Sequence, residues 1–326
     1  MTTYNASHVA WMLIDGYNLQ PYLDAYDRTD NNAEVADATP MGVNWPVKKQ
    51  IGRNHMGISA TLFYDDAALA SNAYVMDPLT GFTDYDAFCF AYTGAAAGAP
   101  FLGIPSVWVT GFDRVQAATD IHKINLTYLP GQNSWGSDDG LILQPLGTVS
   151  AAGNSSSIDG GVAMAPTSIT SSSVANPTVL TTAAHGLTGL VTVVVAGHTG
   201  STPSLNGTWL ATVIDATHIS LPVACTVGGT GGTVQYAGGA CFYVQAPLCV
   251  LGGYTNWIVS LQDSADNSTF AAVSGSPQAT ITTGLNGYAI AIPAGTVVRR
   301  YTRALWALTG SGSSPSLNFF AGVARR

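Results

Sequence analysis

Charge is what this 326-residue chain has least of: only 9% of its residues are charged, against roughly 25% in an average soluble domain. Glu occurs once, at Glu34, and Lys three times, at Lys48, Lys49 and Lys123. Helix surfaces are ordinarily built from Glu, Lys, Arg and Leu, so this scarcity excludes a helical bundle and a large α/β enzyme. Lys and Arg are absent altogether between Lys123 and Arg299. With no basic stripe, the chain is not built to grip DNA or RNA through phosphates. No apolar run reaches the roughly 18–20 residues of a membrane-spanning helix. The opening MTTYNASHVAWMLIDGYN has neither a basic segment nor a long apolar one, and is not expected to be a secretory signal.

Chemical motifs are missing too. The six His, at 8, 55, 122, 185, 198 and 218, form no His-x-His or His-Glu-x-x-His spacing, which a zinc site would use. No Gly-x-Ser-x-Gly turn is present to carry a hydrolase nucleophile. Residues 27–38 are acidic like a calcium loop but lack its central Gly and closing Glu pattern. The pairs Asp65-Asp66, Asp84/Asp86 and Asp138-Asp139 read as turn or surface groups rather than as the two carboxylates of a glycosidase. No catalytic, cofactor-binding or metal-ligating residue is assigned, no cofactor is expected, and the chain is read as not an enzyme. Cys89, Cys225, Cys241 and Cys249 include no Cys-x-x-Cys. They read as buried thiols of a reducing compartment, with a Cys241–Cys249 bridge as the alternative that spacing leaves open.

What is present points to β-structure. Apolar residues make up 47% of the chain, with 36 Gly and 16 Pro, on a background of Thr, Ser, Val and Ala. Net charge is −8, and residues 1–123 hold 13 acids against 6 bases, a net of −7. A neutral or acidic surface of this kind is one that DNA passes without sticking. Strands are predicted at Val9–Ile14, Gly57–Tyr64, Ala87–Ala91, Ser106–Thr110 and His122–Leu129, with a tight turn at Asp15-Gly16. Residues 24–39 and 77–86 are expected as loops, 65–74 as one short helix, and 147–178 as a linker. Short strands between turns over 164–237 predict a small β-barrel or sandwich, and Trp257, Val259 and Leu261 alternate with Ile258, Ser260 and Gln262 as in a strand.

Three blocks carry a resemblance. Gln262, Ser264, Asp266 and Ser268 are followed by Arg299, Arg300, Tyr301, Arg303 and Ala304, and then by Phe319, Gly322, Ala324 and Arg325. This order is similar to the last part of tail tube proteins of long-tailed bacteriophages. Asp15-Gly16-Tyr17 and Tyr64-Asp65 resemble the first part of the same family. His185–Leu187, Leu205–Trp209 and Val213–Thr217 resemble a small β-domain found in phage tail and virion proteins.

The resemblance implies an all-β fold: a tail-tube-type β-sandwich/barrel domain with one short helix, plus two smaller β-sandwich domains. The expected divisions are 1–163, forming an inner barrel, 164–237, an inserted decoration domain, and 238–326, a C-terminal β-sandwich. It implies a major tail tube subunit whose partners are copies of itself in stacked hexameric rings. The tape measure, tail tip and terminator proteins are the further partners, and DNA passes through the lumen without sticking. Residues 24–50 and 75–86 are the expected ring-to-ring loops. The expected location is the virion tail, assembled in the host cytoplasm. Other tail parts (terminator, tip, baseplate or decoration protein) and a carbohydrate-binding module using exposed Trp are the alternatives, with host-surface glycans as a possible contact of the outer domains. Trp209, Trp257 and Trp306 are expected in cores, His185 in a turn or cap, and Arg299–Arg303 paired with acids of a neighbouring unit or subunit.

Overall fold

The computed structural model describes residues 9–37, 48–64, 86–115, 122–130 and 138–326. The short helix expected at 65–74, most of the loop at 77–86, and the Trp residues at 45 and 135 lie outside them. The described residues are all-β, apart from single 3-10 turns at Gln20–Tyr22 and Val162–Met164. No helix among them is long and apolar enough to cross a membrane.

The first half supplies β1 (Trp11–Ile14), β2 (Tyr17–Asn18), β3 (Leu23–Asp37), β4 (Lys48–Phe63), β5 (Asp86–Ala91), β6 (Pro100–Val115), β7 (Lys123–Pro130) and β8 (Asp138–Val149). Two short pieces follow, β9 (Gly153–Asn154) and β10 (Ile158–Asp159). Next come β11 (Thr167–Ser172), β12 (Thr178–Thr182), β13 (Leu190–Ala196), β14 (Gly207–Asp215), β15 (His218–Leu221) and β16 (Thr233–Tyr236). The remainder is β17 (Ala240–Val250), β18 (Asn256–Ser264), β19 (Ala271–Ala272), β20 (Gln278–Ile281), β21 (Asn286–Ile292), β22 (Tyr301–Thr309) and β23 (Ser316–Arg325).

One sheet runs in the order β2-β1-β5-β6-β8-β23-β17-β21, and β7, β4 and β3 branch from β6. Strands from the beginning and the end of the chain are therefore hydrogen-bonded neighbours. The central strands are buried on both faces, and alternate residues serve different cores. Phe242 and Val244 of β17 pack with Phe319 and Ala321 of β23 against Trp257, Val259, Ala304 and Trp306 of a second sheet. That second sheet runs β10-β22-β18-β19, with β20 and β9 alongside. Met12, Ile14, Phe88 and Phe90 pack outward on Ile58, Leu62, Ile124 and Leu126 of β4 and β7. The opposite faces, with Leu13, Cys89, Phe101, Ile142, Cys241, Tyr243 and Phe320, form a core of their own. The long sheet thus curls on itself, and β17 and β21 meet β5 and β6 across its interior.

Strands β11 to β16 form a closed barrel in the order β11-β12-β15-β14-β13-β16. Its core of Ile169, Leu180, Val193, Leu205, Ile219, Leu221 and Val234 is distinct from the other three.

Two expectations change. Residues 24–37 are not a loop but most of β3, paired with β4 from Leu23↔Leu62 to Asp37↔Lys48. Their Asp and Asn are poor strand formers, but a long antiparallel partner overrides that preference. The expected linker at 147–178 is broken up by strands. β8 reaches Val149 opposite Leu317, β9 and β10 pair with β22, and β11 lies in the barrel. Ladder bonds use backbone alone, so Ser, Gly and Asn suffice where strands are added at an edge.

Candidate functional site

The interior of the curled sheet is packed rather than hollow. The Phe101 ring meets Tyr243 edge-on at 5.6 Å and Phe320 at 5.3 Å between centroids. A Cβ on Gly140 or Gly322 would strike the Phe101 ring, which explains why Gly322 occupies its place in the final motif. Burial pushes the Cys241 thiol up to about 12 and raises Cys89 as well, so both are neutral thiols and poor nucleophiles. Cys241 and Cys249 lie eight residues apart on β17, roughly 26 Å along an extended strand. That distance rules out the bridge, and all four Cys are free.

The two ends of the sheet meet at a seam closed by side chains. Gln245, fully buried in β17, accepts from Gly16 N at 2.7 Å and donates from Nε2 to Ala87 O at 2.6 Å. Asp15 Oδ1 accepts from Gly287 N at 2.7 Å. The Asp15-Gly16 turn, predicted as a tight turn, joins β1 to β2 and is also the contact that closes the sheet. Gln245 was not singled out by sequence reasoning. Its signal was a lone amide inside the apolar run CFYVQAPL, because a buried amide persists only where its hydrogen bonds are met.

The motifs of the last third converge on an arginine–aspartate network. Arg300 holds Asp159 with two bonds of 2.7 and 2.6 Å, which keep that carboxyl down at about 2. Arg299 donates its backbone N–H to Asp263 Oδ2 at 2.8 Å. Its Nε stands 3.0 Å from Oδ1, off the axis of a hydrogen bond, so that contact is ionic. Burial pushes Asp263 up, against the pull of Arg299 and Arg325. Arg325 donates from Nη2 to Arg299 O at 2.7 Å and Arg300 O at 3.0 Å. Burial lowers Arg325 to about 10, which leaves it charged at neutral pH. Arg303 bonds Gln262 Oε1 at 2.8 Å and lies 4.0 Å over the Phe270 ring. Asp266 closes its turn by accepting from Ser268 N and Thr269 N, both at 2.9 Å, which hold it well below the usual carboxylate range. Of these arginines, expected to pair with acids of a neighbouring unit or subunit, Arg300 alone does so among the described residues of the chain; Arg299 meets an acid of its own expected unit and Arg303 an amide. Asp159 comes from the first expected unit and Asp263 from the last.

The barrel motifs also have structural tasks. His185 Nδ1 accepts from Leu187 N at 3.0 Å, the local cap expected of it. Asn206 bridges the backbone of His198 on both sides, at 2.9 and 2.8 Å. Trp209 Nε1 donates to Leu205 O at 2.8 Å, and Asp215 caps Thr217 N at 2.8 Å. Trp257 and Trp306 are buried and Trp209 packs on the barrel core, as expected. Among the described residues no group of three or more His, Cys, Asp and Glu is placed to hold a metal ion. Asp138 instead accepts from the buried Tyr243 hydroxyl at 2.8 Å.

The remaining feature is an arm. β7 pairs with β4 only over Ile58–Phe63. Past that point, from Asp30↔Gly57 to Asp37↔Lys48, β3 and β4 pair only with each other among the described residues. Eight residues of β3, about 26 Å of strand, thus form a two-stranded ribbon that no other described strand covers on either edge.

No protein-family model and no curated protein matches the chain. Among solved structures, a chain from the virion of a native gene transfer agent particle is 14% identical, with a TM-score of 0.32 over 40% of this chain and 97% of that one. The SPP1 Dit protein, described as a paradigm of the hub adsorption apparatus in phages infecting Gram-positive bacteria, is 12% identical. Its TM-score is 0.27, over 96% of this chain and 98% of that one. At these scores neither likeness carries an argument about this chain.

Proposed function

We propose that the chain is a structural subunit of a bacteriophage tail, the major tail tube protein, which assembles with copies of itself into rings stacked as a conduit for DNA. The observation that carries this reading is the β3–β4 ribbon. A two-stranded ribbon is marginal in water by itself, and open strand edges invite pairing with another chain. A ribbon about 26 Å long that no other described strand covers is suited to completion by a second subunit.

Two further features support the reading. The first 123 residues carry a net charge of −7, suited to a surface that DNA must pass without binding. Because the curled sheet is filled by Phe101, Tyr243 and Phe320, the conduit runs between subunits and not through one. The motifs of the last third resemble those of tail tube proteins, and each motif residue described above serves the fold of this chain. On this reading six copies form a ring, the ribbon reaches the neighbouring ring, and the barrel of 164–237 is an inserted unit outside the wall. The tape measure, tail tip and terminator proteins are the other partners, and the virion tail, assembled in the host cytoplasm, is the location.

Negative-stain electron microscopy with a solution mass tests it. Sixfold rings or tubes are the expected result. Replacing residues 31–56 by Asn-Gly preserves the Asp30↔Gly57 base of the ribbon, so that variant is expected to fold but not to stack into tubes. Tubes of normal length from it would overturn the role given to the ribbon. A protein that stays monomeric at high concentration and in the presence of tail-tip extract would overturn the tube reading.

A further inference from the structure

The barrel of 167–236 is attached to the rest of the molecule by two glycine pairs. The chain arrives through Gly160-Gly161 and leaves through Gly238-Gly239. Because β11 pairs with β16, at Thr167↔Val234, both crossings lie side by side at one end of the barrel. The barrel core includes residues from 163 to 236 and shares none with the other three cores. Its orientation therefore depends on the neck and not on a shared apolar interface.

Two consecutive residues at the end of β23 touch both crossings. At the first, the Arg325 guanidinium lies directly on Gly160, and a Cβ there would coincide with Arg325 Nη1. Gly160 N donates to Arg300 O at 2.8 Å, and Gly161 N donates to Asp159 Oδ1 at 2.8 Å. The Arg300–Asp159 pair and the two carbonyls bonded by Arg325 thus belong to one assembly around this glycine pair. At the second crossing, Arg326 N donates to Gly239 O at 3.3 Å. A Cβ on Gly238 would strike Arg326 O and the Tyr236 hydroxyl. A brace of Gly295 N to Ala237 O, at 2.7 Å, lies at the same neck.

We propose that Arg325 and Arg326 form a latch that fixes the orientation of the barrel, and that the two glycine pairs are the hinges the latch immobilises. With the latch intact the barrel projects in one direction. With the latch released the barrel swings as a rigid body, since its closed ladder and separate core stay whole. The inference concerns the neck alone and does not depend on the tail reading.

The test uses the full chain in a Cys249→Ser background, spin-labelled through Ser204→Cys on the barrel and Ser274→Cys outside it, both exposed positions. Pulsed electron resonance then reads the distribution of distances between the labels. The native latch should give one narrow distribution. Arg325→Ala should give one at least about twofold broader while both cores stay folded. Gly160→Ala should do the same with every charge retained, because its methyl group displaces the guanidinium. Arg325→Lys keeps the charge but not the paired donors, and should fall between. Native widths in folded Arg325→Ala and Gly160→Ala proteins would overturn the latch. Should both unfold, Asp159→Ala at its half-exposed position decides: broadening supports the latch and a native width overturns it.

Discussion

The small barrel and the curled sheet beside it are closed by different means. The barrel closes through backbone ladders between β11 and β16, all drawn from one stretch of about seventy residues. The curled sheet closes through Gln245 and Asp15, whose partners lie 229 and 272 residues away. A ladder of many backbone bonds tolerates the loss of any one side chain. A seam held by a buried amide depends on that amide, since each orphaned buried group costs about 1–3 kcal/mol. The barrel is thus a self-contained unit, whereas the curled sheet needs both ends of the chain in place.

Truncating the centre of the curled sheet should break the comparison most sharply. Phe101→Ala should cost about 3–5 kcal/mol. Hydrogen exchange followed by mass spectrometry should show protection lost in β17 and β23 but retained in β13, and equal losses would mean that the two units unfold together. Gln245→Ala should come next, at about 2–4 kcal/mol, because Gly16 N and Ala87 O are both left without their partner. Urea denaturation measures it, and a loss under about 0.5 kcal/mol would mean that the seam contributes nothing special.

Acid should separate the units more gently. Asp215 is the only acidic residue between 164 and 237. Hydrogen bonds from Thr217 N and then His218 hold it at about 2. A depressed carboxyl contributes stability that is present above its unfolded value of about 3.9 and is lost as pH falls through its folded value. Asp215→Asn should therefore flatten the decline of barrel protection between about pH 4 and 2 and leave the curled sheet's decline unchanged. Amide exchange across a pH series reads both units at once. The smallest effect is expected at exposed Leu210 on the outer face of β14. Leu210→Thr should change the barrel's melting free energy by no more than about 0.5 kcal/mol, and a larger loss would show that this face is not merely solvent-exposed.

Strands with clear alternation were legible in the sequence. Trp257, Val259 and Leu261 of β18 face the core with Ile258 and Ser260 between them, as the pattern predicts. Val9–Ile14, Ala87–Ala91 and 122–129 likewise lie within or beside β1, β5 and β7. The barrel was legible because its turns, such as Asp215-Ala216-Thr217, make local hydrogen bonds that the residue types announce. β3 was not legible, because Asp and Asn signal turns wherever they occur and only the facing β4 makes them a strand. The arginine network was half legible. The cluster Arg299–Arg303 was visible as a group seeking acids, but Asp159 and Asp263 had no mark to distinguish them from turn aspartates.

The residues by themselves determined the fold class, the turns and the alternating faces. These depend on side-chain period, turn chemistry and the scarcity of helix-forming charge, which act over a few residues at a time. The tertiary structure alone decided that β8 lies beside β23, that Gln245 closes the sheet on Gly16, and that Arg325 rests on Gly160. Each of these contacts joins segments 150 residues apart or more, and no local pattern records them. They are selected only when the separate cores pack and every buried polar group finds a partner.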